Sequence, residues 1–211
     1  TTVYYSSSCI YPRDMNHFAE DDLLKGVFEP SNEGYALGKT SGQKYCEYLN
    51  EVHGYRKFLT IVPPNLYGPN DNWNLATSHV LPALTQRLYH AKMDGVEELE
   101  LMGNPTIRRE FIRSDDIANA THYVLANDET TEVINIGQGT DVSLQDTVDE
   151  LSVRIGYTGR VIFNNKMGGK KQKLMSVKRQ ESLGWSPQYN YNDMFDFMVE
   201  ELHKRNGKEE S

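Results

Sequence analysis

Short, continuous apolar runs alternate with helix-period patterns along this chain, and that alternation decides its fold class. The runs are Thr2–Tyr5, Phe58–Val62, Val133–Ile136 and Val161–Phe163, with Glu98–Met102 as a further candidate. Each is too short for a stable helix, and a continuous rather than alternating run is what a strand buried on both faces requires. Between them lie helical patterns over Gly34–Val52, Val80–Met93, Asp115–Ala126, from a Ser143 cap to about Ile155, and over Asn192–Lys204. Ser114 stands where an N-cap belongs, and Asp146 follows Ser143 by three residues. Pro82 fits only in the first turn of its helix. The expected fold class is α/β, a parallel sheet covered on both faces.

Charge and cysteine usage narrow the function classes. A net charge of −8 argues against a general nucleic-acid binder, which carries a basic footprint. No apolar segment approaches the roughly 18 to 20 residues of a membrane span, and no signal peptide is read at the start. Cys9 and Cys46, the only cysteines, form neither a metal-ligand spacing nor a disulfide framework, so a reducing, cytoplasmic setting is expected. No metal is expected. The chain opens on Thr1-Thr2 without an initiator Met, already inside a strand pattern, and is read as the middle of a longer protein.

The chemistry gathers at strand ends. Ser6, Ser7 and Ser8 follow Thr2–Tyr5, at the carboxyl edge where open parallel sheets bind ligands. Tyr35 and Lys39 stand four apart in NEGYALGK and so share one helix face. A phenol is only about 0.1% ionised at neutral pH, so acid–base work by one takes about 3 to 4 kcal/mol from its surroundings. A neighbouring ammonium in a partly dry cleft supplies that order of energy. Alone, Tyr-x-x-x-Lys is an ordinary surface pair. With serines at one strand end and VPPNLYGP, bearing Asn65, at the next, it becomes a specific constellation.

SSSCIYP, EPSNEGYALGK, YCEYLNEVHGY, VPPNLYGPNDNWN, SHVLPAL, RREFIRSDDIA, NIGQGTDVS and GYTGRVIF run in this order over nearly the whole chain. The set resembles the GDP-L-fucose synthase branch of the extended short-chain dehydrogenase/reductase superfamily. The resemblance implies the C-terminal part of a Rossmann-like parallel sheet plus a smaller α/β substrate-binding domain. It also implies NADP(H) as cofactor, a GDP-sugar as substrate and a homodimer built on the helix carrying Tyr35 and a neighbouring one. By the same resemblance Ser7 polarises the C4 carbonyl, Tyr35 protonates it, and Lys39 tunes the tyrosine and holds the nicotinamide ribose. Cys9 and His79 match the pair that moves protons at C3 and C5. Pro63, Asn65, Leu66 and His79 match cofactor-contacting positions, and Arg87, Met102 and Arg109 match substrate-contacting ones. A planar guanidinium suits such a ligand because it donates in pairs.

Each residue also has a plainer reading. Cys9 alone would be a small buried hydrophobe, His79 a satisfied structural histidine and Arg87 a solvated helix charge. Cys46 is read as a packing residue, Gly137-Gln138-Gly139 as a turn, because Val142 occupies the third glycine position of a dinucleotide fingerprint. Lys170-Lys171 is read as a mobile basic loop. Two stretches depart from the family. MGNPTIRR replaces a tryptophan followed by Gly-x-Gly, putting Met102 where the ring would be and Pro105 where a glycine would be. KMGGKKQK places Gly168 at an acidic position. The glycine-rich pyrophosphate loop has no equivalent here, so three earlier strands are expected outside this chain.

The expected organisation is 1–78 for the latter part of the NADP-binding domain, 79–110 for substrate binding and 111–142 for a return to the first domain. Residues 143–205 form a C-terminal substrate domain, and 206–211 a frayed tail. Three readings of function result. The first is an NADPH-dependent epimerase/reductase converting GDP-4-keto-6-deoxy-D-mannose to GDP-L-fucose. The second is a relative acting on another 4-keto sugar nucleotide, by reduction or epimerisation only. The third is a non-catalytic half-domain. Cys9 and His79 argue against reduction alone, and the intact proton-transfer set argues against the half-domain.

Overall fold

A computed structural model describes residues 1–54, 57–127, 132–164 and 171–209. In chain order the strands are β1 (Thr2–Tyr5), β2 (His17–Phe18), β3 (Phe58–Val62), β4 (Asn65–Tyr67), β5 (Glu98–Leu101), β6 (Arg108–Arg109), β7 (Phe111–Arg113), β8 (Val133–Asn135), β9 (Val142–Ser143), β10 (Arg160–Phe163) and β11 (Gln172–Met175). The helices are α1 (Glu33–His53), α2 (Val80–Met93), α3 (Ser114–Asn127), α4 (Leu144–Ile155), α5 (Lys178–Ser182) and α6 (Tyr191–Glu209). They divide between two compact units: Thr1–Leu66, Arg109–Asp141 and Lys170–Gln188 in the first, Tyr67–Arg108, Val142–Gly169 and Tyr189–Ser211 in the second.

The first unit is organised by a parallel sheet of order β1-β3-β8, with Thr2 opposite Phe58, Tyr5 opposite Ile61 and Val62 opposite Asn135. Central β3 explains the continuous apolar run: Leu59 and Ile61 on one face and Val62 on the other are all fully buried. Leu59 and Ile61 join Ile112, Ile117, Ala120, Val124, Ile134, Ile136 and Trp185 in one cluster. Val62 joins Ile10, Tyr11, Phe18, Val133 and Met175 in another. Helix α1 buries Ala36, Thr40, Gln43, Cys46 and Asn50, a helical stripe on one face. Its end is tied to β3 by buried Asn50, whose Oδ1 accepts the N–H groups of Lys57 and Phe58 at 2.9 Å while Nδ2 donates to Phe58 O. Gly42 lies against the Tyr4 ring, so any side chain there would meet the phenol.

The second unit packs α2, α4 and α6 together with the parallel pair β5–β10, in which Arg160 faces Glu98 and Phe163 faces Leu101. Ser143 caps α4 as expected, its Oγ accepting Asp146 N–H at 2.9 Å, and Gly156 closes the helix at φ +78°. Arg154 on α4 lies 5.3 Å from the Phe195 ring centroid and donates to Asp196, joining α4 to α6. No helix among the described residues is long and apolar enough to cross a membrane.

Three expectations need correction. Helix α3 begins at Ser114 itself, so Ser114 is its first residue rather than its cap. Helix α6 continues to Glu209, through residues expected to fray, with the i,i+4 pairs Glu200–Lys204 and Glu201–Arg205 supporting its last turns. Lys171 stands in a bend just ahead of β11, which pairs in parallel with β2, Leu174 opposite His17; Gly168 and Lys170 lie outside the described residues. The unit boundaries also differ from the expected ones. Residues 67–78 go with the second unit, and Lys170–Gln188 returns to the first, where Arg179 donates to Val133 O at 2.7 Å and Gln180 accepts from Gly137 N–H.

Candidate active site

The first unit carries the serine, cysteine, tyrosine and lysine. Beyond β1 the chain keeps its register with the next strand: Ser6 N–H donates to Ile61 O and Ser8 N–H to Pro63 O. It then turns through a short 3₁₀ helix, Ser8–Ile10, capped by Ser7, whose Oγ accepts Cys9 N–H at 3.3 Å. That turn leaves Ser7 and Cys9 half-buried at the carboxyl end of β1, while Ile10 and Tyr11 drop into the core. Helix α1 presents Tyr35 in its first turn, 52% exposed, and Lys39 one turn later. Lys39 Nζ donates to Tyr5 O at 2.8 Å and stands 5.8 Å from the Tyr35 ring centroid and 5.5 Å from that of Tyr4. The ammonium therefore fastens the start of α1 to the end of β1 with the phenol beside it.

After β3, Pro63 and Pro64 are buried, and Asn65 and Leu66 emerge exposed. Asn65 is fixed by Glu110, whose carbonyl accepts both its N–H (3.3 Å) and its Nδ2 (2.8 Å). The Glu110 side chain, 1% exposed, accepts Gly139 N–H at 2.9 Å and Met175 N–H at 3.0 Å. Burial pushes this carboxyl up to about 7, outweighing the backbone donors of Met175, Gly139 and Gln138, which favour its charged form. Gly137 approaches so closely that a Cβ there would collide with Glu110 Oε1. Arg109 is next in the chain. Burial lowers its pKa, opposed by the electrostatic influence of Cys9 and Glu29.

The second unit carries His79, Arg87 and Met102. His79 occupies the N-cap of α2 without a side-chain capping bond; its side chain is 82% exposed, with Nδ1 3.8 Å from Asp71 Oδ1. Arg87 lies exposed two turns along the same helix. Met102, 56% exposed, directly follows β5 and precedes a loop built on Gly103 at φ +128° and an Asn104 turn whose Oδ1 accepts Thr106 N–H. That loop also receives the first N–H groups of α4, Leu144 to Ile107 O and Gln145 to Pro105 O. Each unit thus holds its own share of the expected set. Two residues were missed. Tyr4 donates to Lys39 O and lies under its ammonium. Glu110 stood inside the quoted RREFIRSDDIA, but only its distant partners reveal its part.

A model of the NAD dependent epimerase/dehydratase family matches residues 1–137. The chain belongs to this family. Among curated relatives, GDP-L-fucose synthase of Escherichia coli (strain K12) is 39% identical over 87% of this chain and 60% of that protein. GDP-L-fucose synthase 1 of Arabidopsis thaliana is 37% identical over 90% and 59%, and GDP-L-colitose synthase of Yersinia pseudotuberculosis 34% over 85% and 59%. The chain thus spans about three-fifths of the length of these relatives. Two solved structures share the fold. A GDP-D-glycero-L-gluco-heptose synthase from Campylobacter jejuni has a TM-score of 0.85 at 27% identity, covering 96% of this chain and 69% of that one. A GDP-L-fucose synthetase from Naegleria fowleri bound to NADP has a TM-score of 0.82 at 25% identity, covering 96% and 67%. The parallel sheet of the first unit is of the Rossmann type that such epimerases and reductases share.

Proposed function

We propose that the protein carrying this chain is an NADPH-dependent epimerase/reductase that converts GDP-4-keto-6-deoxy-D-mannose to GDP-L-fucose. The observation that carries this reading is the bond from Lys39 Nζ to Tyr5 O, which sets ammonium and phenol together at the strand end bearing Ser7 and Cys9.

The residues fit one side of a nicotinamide cofactor. Lys39 and Tyr35 offer donors, and Pro63, Asn65 and Leu66 form a strip held in place by Glu110. When bound, NADPH supplies the hydride for C4. Ser7 donates a hydrogen bond to the C4 oxygen, and Tyr35 gives that oxygen its phenolic proton, so the ketone becomes an alcohol. Epimerisation precedes this step. One member of the Cys9–His79 pair removes the proton beside the ketone, the electrons move onto the carbonyl oxygen, and the other returns a proton to the opposite face of the carbon. Arg87, Met102 and Arg109 bind the sugar nucleotide.

A second reading keeps this chemistry but changes the sugar. It is favoured by Met102, which puts a flexible exposed thioether where the family resemblance leads one to expect an aromatic ring. The relatives named above include a colitose synthase and a heptose synthase, both of GDP-sugars. A homodimer belongs to both readings, because α1 turns Leu37, Tyr45, Tyr48 and Val52 outward, an apolar stripe at i, i+8, i+11 and i+15. A cytoplasmic setting matches the two free cysteines.

The test is NADPH oxidation by the whole protein with GDP-4-keto-6-deoxy-mannose, with product stereochemistry read by NMR. Cys9→Ser is expected to stop inversion at C3 and C5 and to leave ketone reduction standing. Inversion at the parental rate in Cys9→Ser would remove the thiol from the mechanism, and turnover confined to another GDP-4-keto sugar would move the assignment to the second reading.

A further inference from the structure

His79 occupies a position that helices ordinarily give to a capping side chain, yet its imidazole caps nothing and stands free on the surface. What lies against it is the loop that precedes it. Asn70, at φ +64°, turns the chain, and the loop is then locked internally. Asn72 Oδ1 accepts Asn74 N–H and its Nδ2 donates to Thr77 Oγ1; Asn74 Oδ1 accepts Ala76 N–H, and its carbonyl accepts Ser78 N–H at 2.7 Å. Gln86 on α2 donates to Trp73 O at 2.6 Å, and Arg205 on α6 stacks on the Trp73 ring at 5.2 Å. This closed loop sets its first residue, Asp71, opposite its last neighbour, His79.

Asp71 is itself unusual. Its side chain is 17% exposed; Oδ1 accepts Asn72 N–H at 2.7 Å and lies 3.8 Å from His79 Nδ1, and among the described residues Oδ2 is buried without a hydrogen-bond partner. A carboxylate oxygen removed from water and left without a donor is costly, which calls for a reason. Among the described residues its ion-pair partner is His79. The separation is longer than a hydrogen bond, as often holds before substrate tightens a site.

We propose that Asp71 is a positioning residue for His79: it holds the Nδ1–H edge of the imidazole, so that Nε2 is the atom offered for proton transfer. The inference rests on the reading of His79 as a proton carrier. When Nε2 delivers its proton to the ring carbon, a C–H bond forms, the enolate electrons return to that carbon, and the imidazole is left neutral with its Nδ1 proton held toward Asp71. Nε2 then regains a proton from solvent. Holding one ring nitrogen to fix what the other does is a general property of imidazole.

Two measurements test it. In ¹⁵N spectra of the labelled protein, with the His79 signals assigned by His79→Gln, the neutral ring is expected as the Nδ1–H tautomer, reverting to Nε2–H in Asp71→Asn. In the whole enzyme without NADPH, deuterium wash-in from D₂O at C3 and C5 of GDP-4-keto-6-deoxy-mannose is expected to fall about 10- to 100-fold in Asp71→Asn, the range typical of orienting partners. Reduction of the already epimerised ketosugar should stay within about twofold, and Asp71→Glu, which keeps the charge, should recover part of the exchange. Asp71→Asn keeps an acceptor for Asn72 N–H, and unaltered Trp73 fluorescence would show that the loop survives. Parental wash-in in Asp71→Asn, with wash-in lost in His79→Gln, overturns the inference alone. Parental wash-in in His79→Gln overturns the proton-carrier reading and this inference with it.

Discussion

The two units hold their functional groups in different ways. In the first, the side chains expected to act are fastened by the sheet. Ser7 caps a turn, Lys39 is bound to the β1 carbonyl, and Asn65 is clamped by a buried glutamate. In the second, His79, Arg87 and Met102 are exposed on a helix start, a helix face and a loop mouth. Ketone reduction needs reacting atoms held to within a fraction of an ångström, which suits groups built on strand ends. Choosing a sugar needs groups that can change without disturbing the core, which suits loops. The departures from the family pattern that fall on described residues, Met102 and Pro105, lie in the second unit.

The sharpest way to break this contrast is to remove the phenol. Tyr35→Phe should lower reduction about 10²- to 10⁴-fold, the usual worth of a positioned general acid. Stability should hardly change, because the ring is half exposed. NADPH oxidation and a urea titration on the same variant check both halves. A stability loss matching the activity loss would mean that Tyr35 supports the fold instead.

The next effect concerns Glu110 and separates the units by fluorescence, since Trp185 reports the first unit and Trp73 the second. Its folded pKa of about 7 stands above the ordinary 4.5 because of burial. Between those values the folded protein keeps a proton that the unfolded chain releases, so stability is full below about pH 4.5 and falls as pH rises through 7. The slope approaches about 1.4 kcal/mol per pH unit within that window, for a loss of about 3 kcal/mol across it. Glu110→Gln should flatten the dependence seen by Trp185 and leave Trp73 unaffected. It should also destabilise the first unit at pH 5 by about 1 to 3 kcal/mol, because the amide turns a donor toward Gly139 or Met175 N–H. Equal pH slopes in parent and variant would show that the carboxyl titrates normally.

Much of the first unit was legible because its signals are local. β1, β3 and β8 are continuous apolar runs, α1 carries one buried stripe, and Tyr35 and Lys39 meet through helical period alone. What escaped depends on partners far along the chain. β2 and β11 are two and four residues long, and the pairing of His17 with Leu174 has no trace in either segment. KKQK reads as a charged loop until Met175 N–H finds Glu110 65 residues away. Asp71 likewise looks like any loop acid, and only its burial and its approach to His79 distinguish it. The helical tail beyond Lys204 was missed for a different reason: its composition is polar, but its i,i+4 charge pairs suit a helix.

The arginines give a smaller test across the same divide. Arg109 is half-buried, and burial lowers its pKa, whereas Arg87 is exposed. A desolvated charge-assisted contact is worth about 1.5 to 3 kcal/mol, so Arg109→Ala should raise KM for the GDP-sugar about 10- to 100-fold. Exposed charges contribute about 0 to 1 kcal/mol, so Arg87→Ala should raise it no more than about fivefold. Equal effects would mean that Arg87 becomes desolvated when substrate binds.

The smallest expected change sharpens the contrast rather than breaking it. Met102→Trp restores a planar ring at the mouth of β5 without altering the loop, whose course is set by Gly103 and by the α4 N–H groups that donate to Pro105 and Ile107. Stacking of a base or sugar face on such a ring is worth about 1 to 3 kcal/mol when fully formed, and less at an exposed edge. KM for GDP-4-keto-6-deoxy-mannose should therefore fall severalfold, with kcat for the ketone step unchanged, since Tyr35 and Lys39 are fixed by the first unit alone. If KM instead rises for this sugar and falls for another GDP-4-keto sugar, the thioether has been selecting the substrate, and specificity resides in the loop that the sheet does not control.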